Sequence, residues 1–315
     1  MPDTRSITLV DIPLVKRLSS QGMVLDSEAG LTRDARGPNS ALLSSLLFPQ
    51  LGLHTLVARS DEQHVVGQFR TRPDDPNAHI VYIAPRLESE DEDTAWLHIL
   101  DAMAREAGKH KAHSLVAEVE EDSYLFETMR TAGFAVYTRQ AIWRRHAGCP
   151  VPEREPVELI EAGDEHMAGI HALYCATTPS MVQQVAVPPG DMDILIYRKQ
   201  ERIEGFLALS EGKQGVYLIP YLHPDDIGKA AAIIEAAIQH ADRAGKVPVY
   251  VCARRYQSWL DSILERMSFE PWIQQAVMVK HIAAGVRQHH FAPILSRRHK
   301  EAHTIPPPGN HMTQV

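Results

Sequence analysis

The chain repeats itself once, with a common offset of about 135 residues. "VYIAP" at 81–85 matches "VYLIP" at 216–220, and "GFAVYTRQAIW" at 133–143 matches "SFEPWIQQAVM" at 268–278. In the second pair Phe134 falls on Phe269, Tyr137 on Trp272, Gln140 on Gln275 and Ala141 on Ala276. The segments between correspond as well: a helical stretch at 93–107 with one at 228–244, then "KAHSLVAEV" with "KVPVYVCAR". Each match is weak alone; the shared offset and order argue against coincidence. Such a repeat means two copies of one folding unit, and 315 residues suffice for each copy to bury its own core. "RRHAGCPVPEREP" at 144–156, with three prolines and mixed charge, is the expected linker. It separates a domain at 1–147 from one at 155–282.

Within the second copy the hydrophobic period changes in a definite order. "VELIEA" is a short strand, and "GDEHMAGIHALYCAT" a helix with Met167, Ile170 and Leu173 or Tyr174 on one side. "MDILIYRKQERIEGFLALSEGKQGVYLIPYL" is three strands joined by the polar turns "RKQER" and "EGKQG". A helix follows with Ile227, Ala231, Ile234, Ile238 and Ala241 on one face. The strand "VPVYVCA", the helix "YQSWLDSILERM" and the strand "PWIQQAVMVKH" complete the unit. This order predicts an α+β fold with helices on both faces of a mixed sheet.

Composition removes several classes of function. Three cysteines, Cys149, Cys175 and Cys252, are odd in number and far apart, which argues against a disulfide framework and a thiolate zinc site. The 17 histidines lack metal-ligand spacing, so no metal is expected. A net charge of −8 without a basic stripe in the folded part argues against nucleic acid. The apolar runs are too short to cross a membrane, and "MPDTRSITLV" has no basic region followed by a long apolar one. A cytoplasmic location is therefore expected.

The order of elements, the Gly-Phe after the amphipathic helix in "LFETMRTAGFAVYTRQ", and the strand, proline, turn and helix of "LHPDDIGKAAA" resemble the GNAT (GCN5-related N-acetyltransferase) superfamily. The resemblance covers about residues 5–145 and 155–282. It implies two tandem GNAT-like domains, each a mixed, mostly antiparallel sheet with helices on both faces. It also implies an N-acyltransferase that takes acetyl-CoA or another acyl-CoA as co-substrate and a small-molecule or protein amine as acceptor. In that family a Gly-containing turn aims backbone N–H groups and a helix N-terminus at the CoA pyrophosphate. Carried onto the second copy, this turn falls on Ile227, Gly228, Lys229 and Ala230, and the pantetheine runs along Tyr217, Leu218, Ile219 and Tyr221. In the first copy "RLESEDEDTAW" puts Glu88, Glu90, Asp91, Glu92 and Asp93 where the anion would sit, and their repulsion would exclude it.

Catalysis in the family uses a tyrosine four residues before the Gly-Phe to protonate the departing thiolate. Here that position holds Met129 in the first copy and Leu264 in the second. Tyr124 and Tyr256 are the nearby substitutes, and Glu118, Glu120 and His223 are possible bases; His223 and Tyr256 are the catalytic candidates of the second copy. From 283 to 315, Arg287, Arg297, Arg298 and Lys300 against Glu301 alone, followed by "IPPPGN", form a flexible basic tail suited to docking a protein partner. Two readings stay open: an N-acyltransferase with its chemistry in the C-terminal domain, or a catalytically inactive ligand-binding, protein-binding or structural module.

Overall fold

In the computed structural model, which describes residues 3–32, 52–60, 63–73, 75–89, 94–149, 157–186 and 192–282, thirteen strands form one continuous sheet. The first half contributes β1 (Asp3–Ser6), β2 (Met23–Val24), β3 (Leu53–Ser60), β4 (Gln63–Thr71), β5 (Asn77–Ala84), β6 (Ser114–Glu120) and β7 (Ala135–Arg145). The second contributes β8 (Ile160–Glu161), β9 (Asp193–Lys199), β10 (Arg202–Glu211), β11 (Val216–Leu222), β12 (Val249–Arg254) and β13 (Glu270–His281). Eight α-helices lie among the described residues: α1 (Ile12–Leu18), α2 (Ser27–Thr32), α3 (Thr94–Lys109), α4 (Tyr124–Thr131), α5 (Met167–Thr177), α6 (Ser180–Gln183), α7 (Ala230–His240) and α8 (Asp261–Arg266). The expected tail, most of the expected linker and Glu90 to Asp93 lie outside the described residues.

The sheet runs β1-β3-β4-β5-β6-β13-β7-β12-β11-β10-β9-β8, with β2 paired to β5. Only β5 with β6 and β11 with β12 run parallel. Each half thus gives its last strand to the other: β13 lies beside β6, and β7 beside β12. The exchanged strands complete the cores they enter: Ala276 and Met278 that of the first half, Trp143 that of the second. Arg144 and Arg145, expected to open the linker, are the last residues of β7.

The 135-residue offset has a physical meaning at the centre of the sheet. Gln140 and Gln275 are opposite each other in β7 and β13, and Gln140 Nε2 donates to Gln275 Oε1 at 3.1 Å. The crossing contacts repeat around this point. Arg145 at the end of β7 pairs with Glu235 of α7 at 2.7 Å and lies over Phe269, while Lys280 near the end of β13 pairs with Asp101 of α3 at 3.6 Å and lies over Phe134.

The helices follow the apolar period of the sequence. α3 buries Trp96, Ile99, Leu100 and Met103, and α7 buries Ile233, Ile234, Ala237 and Ile238, each set lying along one stripe. Burying each such isoleucine or leucine contributes about 1.5–3 kcal/mol. On the opposite face of the second half, α5 packs Ile170, Leu173 and Tyr174 against Phe206, Tyr217 and Tyr221. The segment read as the helix "YQSWLDSILERM" is instead a 3-10 turn, Arg255–Leu260, leading into α8.

One part of the sequence match is out of step. Asn77 is the register partner of Ser114, and Val216 of Val249. In these terms the counterpart of Pro85, just after β5, is Pro224 just after β11, whereas Pro220 lies inside β11. The chain between the parallel strands is longer in the first half, and this moves "VYIAP" four residues relative to "VYLIP".

Candidate active site

Both parallel pairs separate after a short common register. β5 and β6 stay paired over Asn77–His79, and β11 and β12 over Val216–Leu218. Beyond these points the two strands leave backbone groups without a neighbouring strand to bond. Such groups must find partners elsewhere, and the two halves supply different ones.

In the first half the gap is closed by main chain. β2 pairs with β5, the Leu25 N–H donates to the Val81 carbonyl at 2.9 Å, and the Leu25 carbonyl accepts from the Glu118 N–H at 3.0 Å. The segment therefore bridges both edges as a strand would. In the second half the bridge is one side chain. Gln257, which is buried, donates from Nε2 to the Pro220 carbonyl at 2.7 Å, and its Oε1 accepts from the Arg254 N–H at 3.1 Å.

The turn after β11 is tighter and more acidic than an open anion loop. His223 caps the 3-10 turn Pro224–Lys229, its Nδ1 accepting from the Asp225 N–H at 3.3 Å, and the Asp226 N–H is bonded to the His223 carbonyl at 3.0 Å. Asp225 and Asp226 stand in the first turn, where the helix end favours negative charge. Two carboxylates thus lead this turn, and Gly228 follows in the second turn. Gly228 has open space where a Cβ would stand, and Lys229 Nζ donates to the Tyr197 hydroxyl at 3.0 Å. Ile227 is partly buried against the core and Ala230 fully buried.

Where β12 ends, a polar cluster lies within apolar surroundings. Arg254 is 5% exposed, and its Nε and Nη1 have no hydrogen-bond partner among the described residues. The hydroxyls of Tyr174 and Tyr221 are likewise buried and unpartnered, and the two rings meet edge to face. Burial opposes the charge on Arg254, yet the Glu118 carboxylate near it favours the cation. Burial raises Tyr256 above the usual tyrosine range while Arg254 acts in the opposite sense, so its hydroxyl keeps its proton at neutral pH. Cys252 is pushed up to about 11 by burial, which leaves it an inert thiol.

No family model and no curated protein matches this sequence. Solved structures do. A GCN5-related N-acetyltransferase from Sphaerobacter thermophilus is similar over 89% of this chain and 96% of its own, with a TM-score of 0.55 and 12% identity. A tandem GNAT protein from the clavulanic acid biosynthesis pathway is similar over 90% and 99%, with a TM-score of 0.52 and 14% identity. A conserved protein of unknown function from Staphylococcus epidermidis is similar over 71% and 93%, with a TM-score of 0.50 and 12% identity. The fold is the GNAT fold. The tandem architecture inferred from the repeat is thus observed, and at these identities the likeness speaks for the fold alone.

Against that fold the residues singled out in the sequence separate clearly. Met129 and Leu264, at the GNAT tyrosine position, are fully buried core residues and supply no proton. Tyr217, Leu218, Ile219 and Tyr221 are buried in β11, with Leu218 facing α7 and the other three facing α5. Tyr256 belongs to the Arg254 cluster, whereas His223 caps a turn with Glu204 and Asp225 nearby at 3.6 and 3.5 Å. Tyr124 is exposed on α4. The described residues contain no metal-binding group of histidine, cysteine and acidic side chains, and no described helix is long and apolar enough to cross a membrane. Sequence reasoning missed Gln257, Arg254, Tyr174 and the bridge at Leu25. The available signal was "CARRY", two arginines directly after an apolar strand.

Proposed function

We propose that this chain is an acyl-CoA-dependent N-acyltransferase, and that donor and amine meet in the second half. The observation that carries this reading is the gap between β11 and β12, held by one side chain and opening beside the Arg254 and tyrosine cluster. A single amide bond can be exchanged for that of an incoming ligand, and the Pro220 carbonyl released by Gln257 is positioned for a pantetheine N–H. Acyl-CoA supplies the acyl group as a thioester. Tyr256 holds the proton that the departing thiolate requires. Gly228 and Lys229 give room and positive charge for the pyrophosphate, and Asp225 and Asp226 weaken its hold, so affinity is modest. The acceptor is an amine, carried by a small molecule or a protein, and a cytoplasmic setting suits this donor.

A second reading, binding without chemistry, is favoured by Leu264 in the core where GNAT proteins carry their tyrosine. Two measurements decide. Calorimetric titration of CoA should give binding that Gly228→Asp weakens by about 1–3 kcal/mol, the scale of a lost charge-assisted contact. Ser89→Asp in the first half should change nothing. Equal binding to wild type and Gly228→Asp removes the turn from the site. Thiol release from acetyl-CoA with a panel of amines supports the enzyme; binding without release leaves the second reading.

A further inference from the structure

A cavity of about 60 Å³ lies where the two halves adjoin. The first half lines it with Asp26, Glu28, Arg72 and Glu118, and the second with Tyr217 and Arg254. Most of this charge is already engaged. Asp26 pairs with Arg70 at 2.9 Å, Glu28 Oε1 accepts from the Ser210 hydroxyl at 2.9 Å, and Arg72 stands 3.7 Å from Glu28. Glu118 Oε2 accepts from the Ser27 N–H at 2.8 Å. Arg254 differs, because two of its guanidinium nitrogens face burial without a partner, and no ion pair joins it to Glu118 among the described residues. A buried cation and a half-buried anion thus line one cavity without closing on each other.

We propose that this cavity binds the head group of an α-amino acid, its carboxylate on Arg254 and its ammonium on Glu118. Each half of that head group answers one wall. A carboxylate matches the planar fork of a guanidinium and satisfies the two open nitrogens together. A simple anion would meet Arg254 beside Arg72 and His79 but also face three carboxylates, and a simple amine would leave Arg254 unmet. The volume admits a compact head group and excludes a nucleotide. Naming the amino acid as the acceptor rests on the N-acyltransferase reading; the binding itself does not. The first half then contributes a wall of the second half's site.

The test is calorimetry of the full chain, without acyl-CoA, against the twenty standard L-amino acids. For each amino acid that binds, its decarboxylated amine and its deaminated acid are titrated too. At least one amino acid should bind, with both single-group relatives weaker by about tenfold or more. Arg254→Lys, which keeps the charge and loses the fork, and Glu118→Gln should each weaken it by about tenfold while melting as cooperatively as wild type. Should either variant fail to fold, the comparison with amine and acid decides alone. The proposal is overturned if no amino acid binds, if amine or acid binds as well as the parent, or if both folded variants bind unchanged. If amino acids bind but neither they nor simple amines release thiol from acetyl-CoA, the transferase reading fails and this one stands. If simple amines release thiol while no amino acid binds, the transferase reading stands and this one fails.

Discussion

In the first half the space between the parallel strands is bridged by main chain at Leu25, whereas in the second it is bridged by the side chain of Gln257. Opening the first would mean withdrawing a chain segment that carries the buried Met23 and Leu25; opening the second means swinging one amide aside. Two copies of one fold have therefore diverged in what their central gap can admit. The exchange of last strands binds the more open half to the more closed one, so each can change locally without coming apart.

The crossing ion pairs test that last point with the largest expected effect. Arg145 and Glu235 are each 4% exposed, and their counterparts Lys280 and Asp101 are 22% and 57% exposed. Removing one partner of a buried pair strands the other charge and costs about 3–5 kcal/mol, while an exposed pair contributes about 0–1 kcal/mol. Urea unfolding should show Glu235→Gln destabilised on the first scale and Asp101→Asn on the second. Similar losses for both would mean that the two crossings are energetically alike and the asymmetry only apparent.

The gap itself comes next. Gln257→Ala would leave the Pro220 carbonyl and the Arg254 N–H buried and unpaired, at about 1–3 kcal/mol. Asp122, which lies 135 residues earlier and is exposed, should tolerate alanine within about 0.5 kcal/mol, because Leu25 already serves the first gap. Thermal melts of both variants measure this. A loss at Asp122 as large as at Gln257 would break the distinction between the halves.

How much of this was legible follows the range of the interactions involved. Periods of two and of about 3.6 are local, so the strands and helices of "MDILIYRKQERIEGFLALSEGKQGVYLIPYL" and α7 were readable. The repeat revealed two units, yet it could not reveal that β7 and β13 change places, since either pairing buries the same faces. The polar cluster was hidden for a similar reason. Arg254 and Tyr256 look like the exposed end of a strand, yet Tyr174 and Thr178, far away in sequence, stand beside them. Gln257 has no unusual neighbours along the chain, and its importance arises from the Pro220 carbonyl, 37 residues away.

The smallest effect concerns the turn that leads into each exchanged strand. The backbone there is left-handed in both halves, with φ of 87° at Gly133 and 63° at Ser268. The geometry around it is shared: the Phe134 N–H bonds to the Met129 carbonyl and the Phe269 N–H to the Leu264 carbonyl, each at 3.0 Å. One half meets this turn with the residue suited to it and the other with a side chain that is not. A Cβ in this conformation costs about 1–2 kcal/mol, and glycine brings back about 0.5–1 kcal/mol in unfolded-chain entropy. Ser268→Gly should therefore stabilise by about 0.5–1 kcal/mol, since Ser268 is exposed and gives up no buried contact. Gly133→Ala should destabilise by a similar amount; nothing lies within 4 Å of the added Cβ, so the loss is conformational and not steric. Chemical unfolding of the two variants side by side reads both numbers. Opposite signs and near-equal size confirm that the turns are equivalent, whereas a neutral Ser268→Gly would show that the second half has relieved its turn by other means.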